Sequence, residues 1–242
     1  MPSRQEYEDI AAAIIQPYLS SPTDAWKGIY RLLLWYEQGV PHIVETSSLG
    51  KRAWRDRARR IELELANAYG CAPHEVLYKV DALMQHKLLR RLQRQNPLGM
   101  GFTVSLVILL RHFSNPQYKF LTEEEIGSRV FADIQDPPRR ASDIVIVEGL
   151  QETAIISAKW SIRHDRLKDW LNECAFYKEH RTSLKFYVAT NEFMSARLRL
   201  VADDACIDGV FHVNRELLLL ANQQNGRLDP IKDLTALLAH FQ

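Results

Sequence analysis

The segment Ser142–Glu173 constrains the fold more than any other part of this sequence. Residues 143–147 (DIVIV) and 153–159 (TAIISAK) are two short apolar runs rich in β-branched residues. The turn-like stretch 149–152 (GLQE) separates them, so the two runs are predicted to form an antiparallel hairpin. From about Arg163, charged and aromatic residues recur every three or four positions, which predicts a helix after the hairpin.

Polar and charged side chains lie at the ends of these predicted elements. Asp143 begins the first strand, Lys159 ends the second, and Glu173 lies on the following helix. Ser157 and Lys159 are two residues apart in a strand, so they share one face. Asp143, Lys159 and Glu173 are therefore predicted to converge at one edge of the hairpin.

Such a grouping suits metal-assisted hydrolysis of a phosphodiester. Mg²⁺ binds carboxylate and carbonyl oxygens, water and phosphate, and a bound metal ion acidifies water and stabilises charge on phosphate. We predict a magnesium site formed by Asp143, Glu173 and the backbone carbonyl of Ala158. Lys159 would orient or deprotonate the attacking water, or neutralise developing charge. The alternative is a strand that ends at the surface with an ordinary lysine.

The same residues resemble the core motif of PD-(D/E)xK nucleases. The run 157–159 (SAK) is similar to the S-x-K variant in type II restriction endonucleases that read CCGG or related GG/CC-containing sites. Glu173, fourteen residues after Lys159, lies where that group carries a migrated metal-binding glutamate. Between them, Arg163–Arg166 (RHDR) resembles the group's R-x-D-R recognition element. The sequence differs in having Ser142 where a proline usually precedes the first aspartate.

The resemblance implies a Mg²⁺-dependent type II restriction endonuclease that cuts double-stranded DNA at a short GG/CC-containing sequence. Arginine can donate two hydrogen bonds to guanine and aspartate can accept from cytosine N4, so Arg163, Asp165 and Arg166 would read adjacent G·C pairs. The alternative is an exposed helix start with ordinary ion pairs. The expected DNA-binding residues are Arg139, Arg140, Arg163, His164, Asp165 and Arg166.

The resemblance also implies partners and a further ligand. A palindromic site would require a two-fold dimer, either alone or paired with a second dimer into a tetramer. The resemblance also implies a companion DNA methyltransferase. In this fold class the helix before the first catalytic strand often offers one more metal ligand, and Glu125 is the candidate. Capping of that helix by Thr122 and its following carboxylates is the alternative explanation.

The chain before residue 116 is predicted to be mostly helical. Helices are expected at 4–16, 24–38, 49–69 and 74–94, followed by a strand at 102–106. This order resembles a winged helix, so residues 1–115 form a DNA-binding or dimerisation lobe. Its basic runs, 51–60 and 86–94, are either solvated helix faces or phosphate contacts.

Residues 116–242 are predicted to form the nuclease core, in the order α, β, β, α, β, α, β, α. Strands at 184–190 and 209–213 alternate with helices, which predicts an α/β fold with a mixed four- to five-stranded sheet flanked by helices.

Composition excludes several other classes. The net charge of +1 indicates no global basic field. No stretch is apolar enough to span a bilayer, no signal peptide is evident, and the three cysteines suggest no disulfide framework. A bacterial or archaeal cytoplasmic protein is expected. The rival interpretations are a repair or structure-specific nuclease with the same core, and a non-catalytic winged-helix DNA-binding protein.

Overall fold

The computed structural model describes residues 4–29, 97–122, 125, 131, 134, 143–160, 162, 167–222 and 228–242. The chain divides into two compact units, Met1–Ser105 and Leu106–Gln242. The sequence prediction puts the joint between residues 115 and 116. The predicted helices at 49–69 and 74–94 and both basic runs lie outside the described residues, as does most of the predicted helix at 24–38.

The described part of the first unit begins with helix α1, Arg4–Ile15. It ends in a 3₁₀ turn, Gln16–Tyr18, because Pro17 cannot continue the helical hydrogen-bond pattern. A second 3₁₀ turn, Pro22–Asp24, is capped by Ser21, whose Oγ accepts from Thr23 N.

Helix α2, Pro97–Phe113, replaces the strand predicted at 102–106, so that prediction was wrong. The buried side chains Phe102, Leu106, Leu109 and Leu110 follow the helical period rather than the two-residue period of a strand. Proline is tolerated at the start of a helix, where its missing N–H has no partner to lose. The wing expected from this strand is therefore absent at these positions.

The second unit is built on a six-stranded mixed sheet whose strand order follows the sequence. The first three strands pair antiparallel, and the last three are added in parallel. The strands are β1, Tyr118–Thr122; β2, Ile144–Glu148; β3, Gln151–Lys159; β4, Lys185–Thr190; β5, Gly209–His212; and β6, Ile231–Asp233. The predicted hairpin is the β2–β3 pair, and its turn contains Gly149 at φ 63°.

Four described helices accompany the sheet. They are α3, Leu167–His180; α4, Ser195–Ala202; α5, Arg215–Ala221; and α6, Leu234–Ala239. The mixed α/β class was predicted correctly, but strands β1 and β6 were not. The sequence analysis assigned no strand to the segment of β1, and the three residues of β6 lie within a helix that was predicted at 229–241.

Each face of the sheet has its own apolar contacts. On one face Val145, Ile155 and Phe186 pack with Cys174 and Tyr177 of α3. Phe120 and Tyr187 lie on the opposite face of the sheet. The ring of Phe120 meets that of Phe241 edge-on, and the ring of Tyr187 stacks on that of His240. Helix α3 therefore lies on the face that carries the odd-numbered residues of β2 and β3.

A disulfide joins Cys174 of α3 to Cys206 before β5, with Cα atoms 6.1 Å apart. The prediction of no disulfide was wrong for this pair, because a separation of 32 residues gives no local signal. Within the described residues, no helix has the length and apolar character to cross a membrane.

Candidate active site

One end of each of the six strands lies along the same edge of the sheet. Thr122 of β1 pairs with Ile144 of β2, which pairs with Ile156 of β3. Further along, Lys159 pairs with Thr190, which pairs with His212. The start of β2 and the carboxyl ends of the parallel strands therefore share this edge, which we call the catalytic edge.

Asp143 immediately precedes β2 and is held by the end of β3. Its Oδ2 accepts from Ala158 N at 2.8 Å and from Lys159 Nζ at 2.5 Å. Ser157 Oγ lies 3.4 Å from the same oxygen. Antiparallel pairing produces this arrangement, because continuing the register past Ile144 places Asp143 opposite Ser157. The structure thus brings together three of the predicted residues, Asp143, Ser157 and Lys159.

Lys159 is fixed from two sides. Its ammonium donates to Asp143, and it lies 5.4 Å from the ring centroid of Trp170 on α3. A cation near an aromatic face is attracted by the ring quadrupole. The Lys159 side chain is 26% exposed, so the ammonium is both anchored and accessible from solvent.

Glu173 lies on α3, three residues after Trp170 and directly before Cys174. Trp170 and Cys174 are buried, whereas Glu173 is partly exposed. Helix α3 covers the face of the sheet that carries Lys159. Glu173 and Lys159 therefore belong to the same side of the sheet. Its assignment as a metal ligand stays a prediction.

The donor set predicted for the metal consists of hard oxygen ligands. Asp143, Glu173 and the Ala158 carbonyl suit Mg²⁺ by chemistry. Among the described residues, no group of three or more His, Cys, Asp or Glu side chains lies close enough to hold an ion. Asp143, Glu173 and Glu125 therefore do not form such a group together, and a Mg²⁺ site formed by Asp143, Glu173 and the Ala158 carbonyl stays a prediction.

Glu125 has other partners. Arg111 Nη2 donates to both of its oxygens at 2.9 Å, and Thr122 donates through N and Oγ1 at 2.9 and 3.0 Å. Partial burial acts to raise the pKa of Glu125, but the hydrogen bonds from Thr122 and Arg111 hold this pKa below its usual value. The contacts are those of the capping alternative, and a ligand role stays a prediction.

The predicted DNA-binding residues lie outside the described residues. These are Arg139, Arg140, Arg163, His164, Asp165 and Arg166. Their neighbours Ile162 and Leu167 are described, and the described part of α3 begins at Leu167.

No protein-family model matches the sequence, and no curated protein matches it. Among solved structures, the complex of restriction endonuclease PspGI with substrate DNA is similar in fold, with a TM-score of 0.54 and 11% sequence identity. The match covers 100% of this chain and 92% of that chain. The chain has a restriction-endonuclease-like fold. At this identity the similarity concerns the fold alone.

The restriction-endonuclease-like fold also places two polar residues at the catalytic edge that the sequence did not single out. Glu192 follows β4 and is 5% exposed, and His212 ends β5 and is fully buried. Burial lowers the pKa of His212 to about 4, against the opposing effects of the Asn214 and Glu192 backbone and the charge of Asp233. A charged residue directly after an apolar strand was the only signal in the sequence for Glu192.

Proposed function

We propose that this protein is a Mg²⁺-dependent type II restriction endonuclease that hydrolyses double-stranded DNA at a short GG/CC-containing site. The observation that supports this most directly is the contact between Asp143 and Lys159 at the catalytic edge. The S-x-K run that supplies this lysine, and the restriction-endonuclease-like fold around it, point to the same class.

Asp143, Glu173 and the Ala158 carbonyl would hold the Mg²⁺ ion. When bound, Mg²⁺ acidifies a water molecule and stabilises negative charge on phosphate. Lys159 Nζ orients that water or neutralises the charge that develops on the phosphate oxygens. Trp170 and Asp143 restrict the ammonium to this position, so little reorganisation is needed when the substrate binds.

The segment Arg163–Arg166 would read G·C pairs in the major groove through Arg163, Asp165 and Arg166. It begins four residues after Lys159, so recognition and cleavage lie on one short stretch of chain. Arg139, Arg140 and His164 would add contacts to DNA, in part to phosphate. The support for DNA as substrate is that the similar structure, PspGI, is a complex with substrate DNA.

A palindromic site implies a homodimer with one active site for each strand, and the assembly would be either this dimer or a tetramer of two such dimers. Host DNA would be protected by a companion methyltransferase, and both proteins would act in the cytoplasm of a bacterium or archaeon. Residues 1–115 would contribute DNA contacts or the dimer interface.

The deciding experiment is digestion of plasmids of known sequence with the purified protein and Mg²⁺. Discrete fragments whose ends map to one GG/CC-containing sequence would support the proposal. A smear or nicking would instead indicate a repair or structure-specific nuclease. Binding without cleavage in either Mg²⁺ or Mn²⁺ would indicate a non-catalytic winged-helix DNA-binding protein. A version of the plasmid methylated at the mapped site is the matched control and should resist cleavage.

A further inference from the structure

The carboxylate of Glu192 is buried directly after β4 and is fully engaged. Its Oε2 accepts from the backbone N–H of Ile162 at 3.0 Å and from Arg197 Nη1 at 3.2 Å. Its Oε1 accepts from Met194 N at 3.0 Å. Glu192 therefore links the chain after β4 to the chain after β3, across a separation of 30 residues.

The linked segment, residues 160–162, joins the catalytic lysine to the predicted recognition residues. Trp160 and Ile162 are buried, at 5% and 1% exposure. The parallel ladder of β3 and β4 ends with Lys159 opposite Thr190. Beyond that pair, Asn191 N donates to Trp160 O at 3.2 Å, and the Glu192 side chain then accepts from Ile162 N. The side chain extends the ladder where the backbone of β4 has turned away.

Burying the Glu192 carboxylate carries a large desolvation cost, although it satisfies the backbone N–H groups of Ile162 and Met194. Burying a charge is unfavourable unless it is paired and hydrogen-bonded, and an apolar replacement of a whole ion pair is often neutral or stabilising. Arg197 supplies the countercharge at 3.2 Å. Since packing alone does not require this pair, its hydrogen bond to Ile162, three residues after Lys159, is the feature to explain.

We propose that Glu192 is a positioning residue that sets the geometry between Lys159 and the segment that begins at Arg163. It acts through Ile162, and it does not contact the reacting atoms. This inference rests on the proposed function, and it adds the residue that couples recognition to cleavage. Loss of the Glu192 acceptor is expected to lower the rate of the bound complex more than it weakens binding.

Glu152 provides a matched control, a second buried and ion-paired glutamate that lies on β3, the strand that ends at Lys159. It is 7% exposed, accepts from Phe131 N at 2.8 Å, and pairs with Arg181 Nη1 at 2.7 Å. It lies seven residues before Lys159 on β3, which is about 23 Å at the rise of an extended strand. If Glu192 only stabilises the fold, removing the Glu192–Arg197 pair and removing the Glu152–Arg181 pair should change kcat by the same factor.

The experiment compares two double variants, Glu192→Leu/Arg197→Met and Glu152→Leu/Arg181→Met, in the full chain. Each removes both charges together, so no buried charge is left unpaired. Steady-state cleavage gives kcat and KM, and amide hydrogen exchange of Ile162 reports its hydrogen bond directly. Thermal unfolding verifies that both variants are folded. Glu192→Gln is the conservative variant, because its amide oxygen can still accept from Ile162 N.

We expect the Glu192→Leu/Arg197→Met variant to lose about 10- to 100-fold in kcat, since displacements near 1 Å at a catalytic group cost up to about that much. Its KM should stay within about 3-fold of the wild-type value, because the remaining DNA contacts are unchanged. Exchange of the Ile162 amide should be at least about 10-fold faster. The Glu152→Leu/Arg181→Met variant should keep the wild-type kcat and Ile162 exchange, and Glu192→Gln should recover most of both.

Equal loss of kcat in the two double variants would overturn the inference, as would unchanged exchange at Ile162. If the Glu192→Leu/Arg197→Met variant does not fold, the Glu192→Gln single variant decides. It keeps an acceptor for Ile162, so a large loss of kcat in this variant, with the fold intact, overturns the inference. Absence of cleavage by the wild-type protein would overturn the proposed function instead. In that case, amide exchange at Ile162 still tests the hydrogen bond from Ile162 N to Glu192.

Discussion

Lys159 Nζ lies 2.5 Å from Asp143 Oδ2, although the two residues belong to different strands. We expect Asp143→Ala and Lys159→Ala each to reduce cleavage by about 10²- to 10⁴-fold, the usual size of a single acid-base or charge-stabilising contribution. Cleavage of a mapped plasmid site measures this. Lys185→Ala is the control. Lys185 also forms an ion pair with an aspartate, Asp208, but it lies at the start of β4, opposite Ala154 and away from the catalytic edge. Wild-type rates in Lys159→Ala would contradict the assignment.

Glu173 is predicted to supply the second carboxylate of the metal site. Glu173→Ala should abolish cleavage in Mg²⁺ and weaken Mg²⁺ binding, which titration calorimetry measures without any turnover. Glu179→Ala tests an exposed glutamate of the same helix and should leave both properties unchanged. Full activity of Glu173→Ala would refute the migrated-glutamate interpretation.

The recognition assignment predicts a change in sequence preference rather than a uniform loss. Arg163→Ala and Asp165→Ala should each lose about 1–3 kcal/mol of discrimination at one base pair. Competition between the mapped site and single-base variants of it measures this loss. Lys168→Ala, an exposed residue at the start of α3, is the control and should retain wild-type preference. Unchanged preference in both test variants would remove the assignment.

His212 predicts a specific loss of stability in acid. Burial lowers the pKa of His212 to about 4, whereas in the unfolded chain the imidazole has its ordinary pKa of 6.5. Between these values the unfolded state binds a proton that the folded state does not, so the free energy of unfolding falls as the pH decreases from 6.5 to about 4. The loss is on the order of 3 kcal/mol, and above pH 6.5 the contribution is constant.

Urea unfolding at pH 7 and pH 4.5 measures this loss in the wild-type protein and in His212→Asn. The variant should show a smaller decrease, because it removes the buried imidazole. The pKa values of Glu125 and Asp208 are also lowered, so protonation of these carboxylates in acid also decreases the free energy of unfolding. This decrease is the same in both proteins and cancels in the comparison. Equal decreases in the two proteins would show that His212 is not responsible.

The Cys174–Cys206 disulfide predicts that stability depends on redox state. Closing a loop across 32 residues lowers the entropy of the unfolded chain, and the chain-entropy model gives about 3–4 kcal/mol for a loop of this length. Dithiothreitol should therefore lower the unfolding free energy of the wild-type protein. The Cys174→Ser/Cys206→Ser variant is the control, since it should match the reduced protein and not respond to dithiothreitol. Equal stability of the oxidised and reduced wild-type proteins would contradict the prediction.

The sequence by itself determined the elements whose signal is local. The β2–β3 hairpin, strands β4 and β5 and the position of Lys159 at a strand end all follow from apolar runs and turn residues a few positions apart. The contact between Asp143 and Lys159 was predictable for the same reason, because a short hairpin has few possible registers. The strand predicted at 102–106 shows the limit, since a continuous apolar run fits a buried helix equally well.

Only the tertiary structure decided the rest. Strand β6 has three residues and exists because β5 lies beside it. The Cys174–Cys206 bond and the hydrogen bond from Ile162 N to Glu192 join residues 32 and 30 positions apart. Such contacts depend on where the sheet carries each strand end, and neither residue of a pair has a local pattern that identifies its partner. The grouping of Asp143, Ser157 and Lys159 along one hairpin was therefore predictable, but the buried Glu192 that holds the chain after β3 was not.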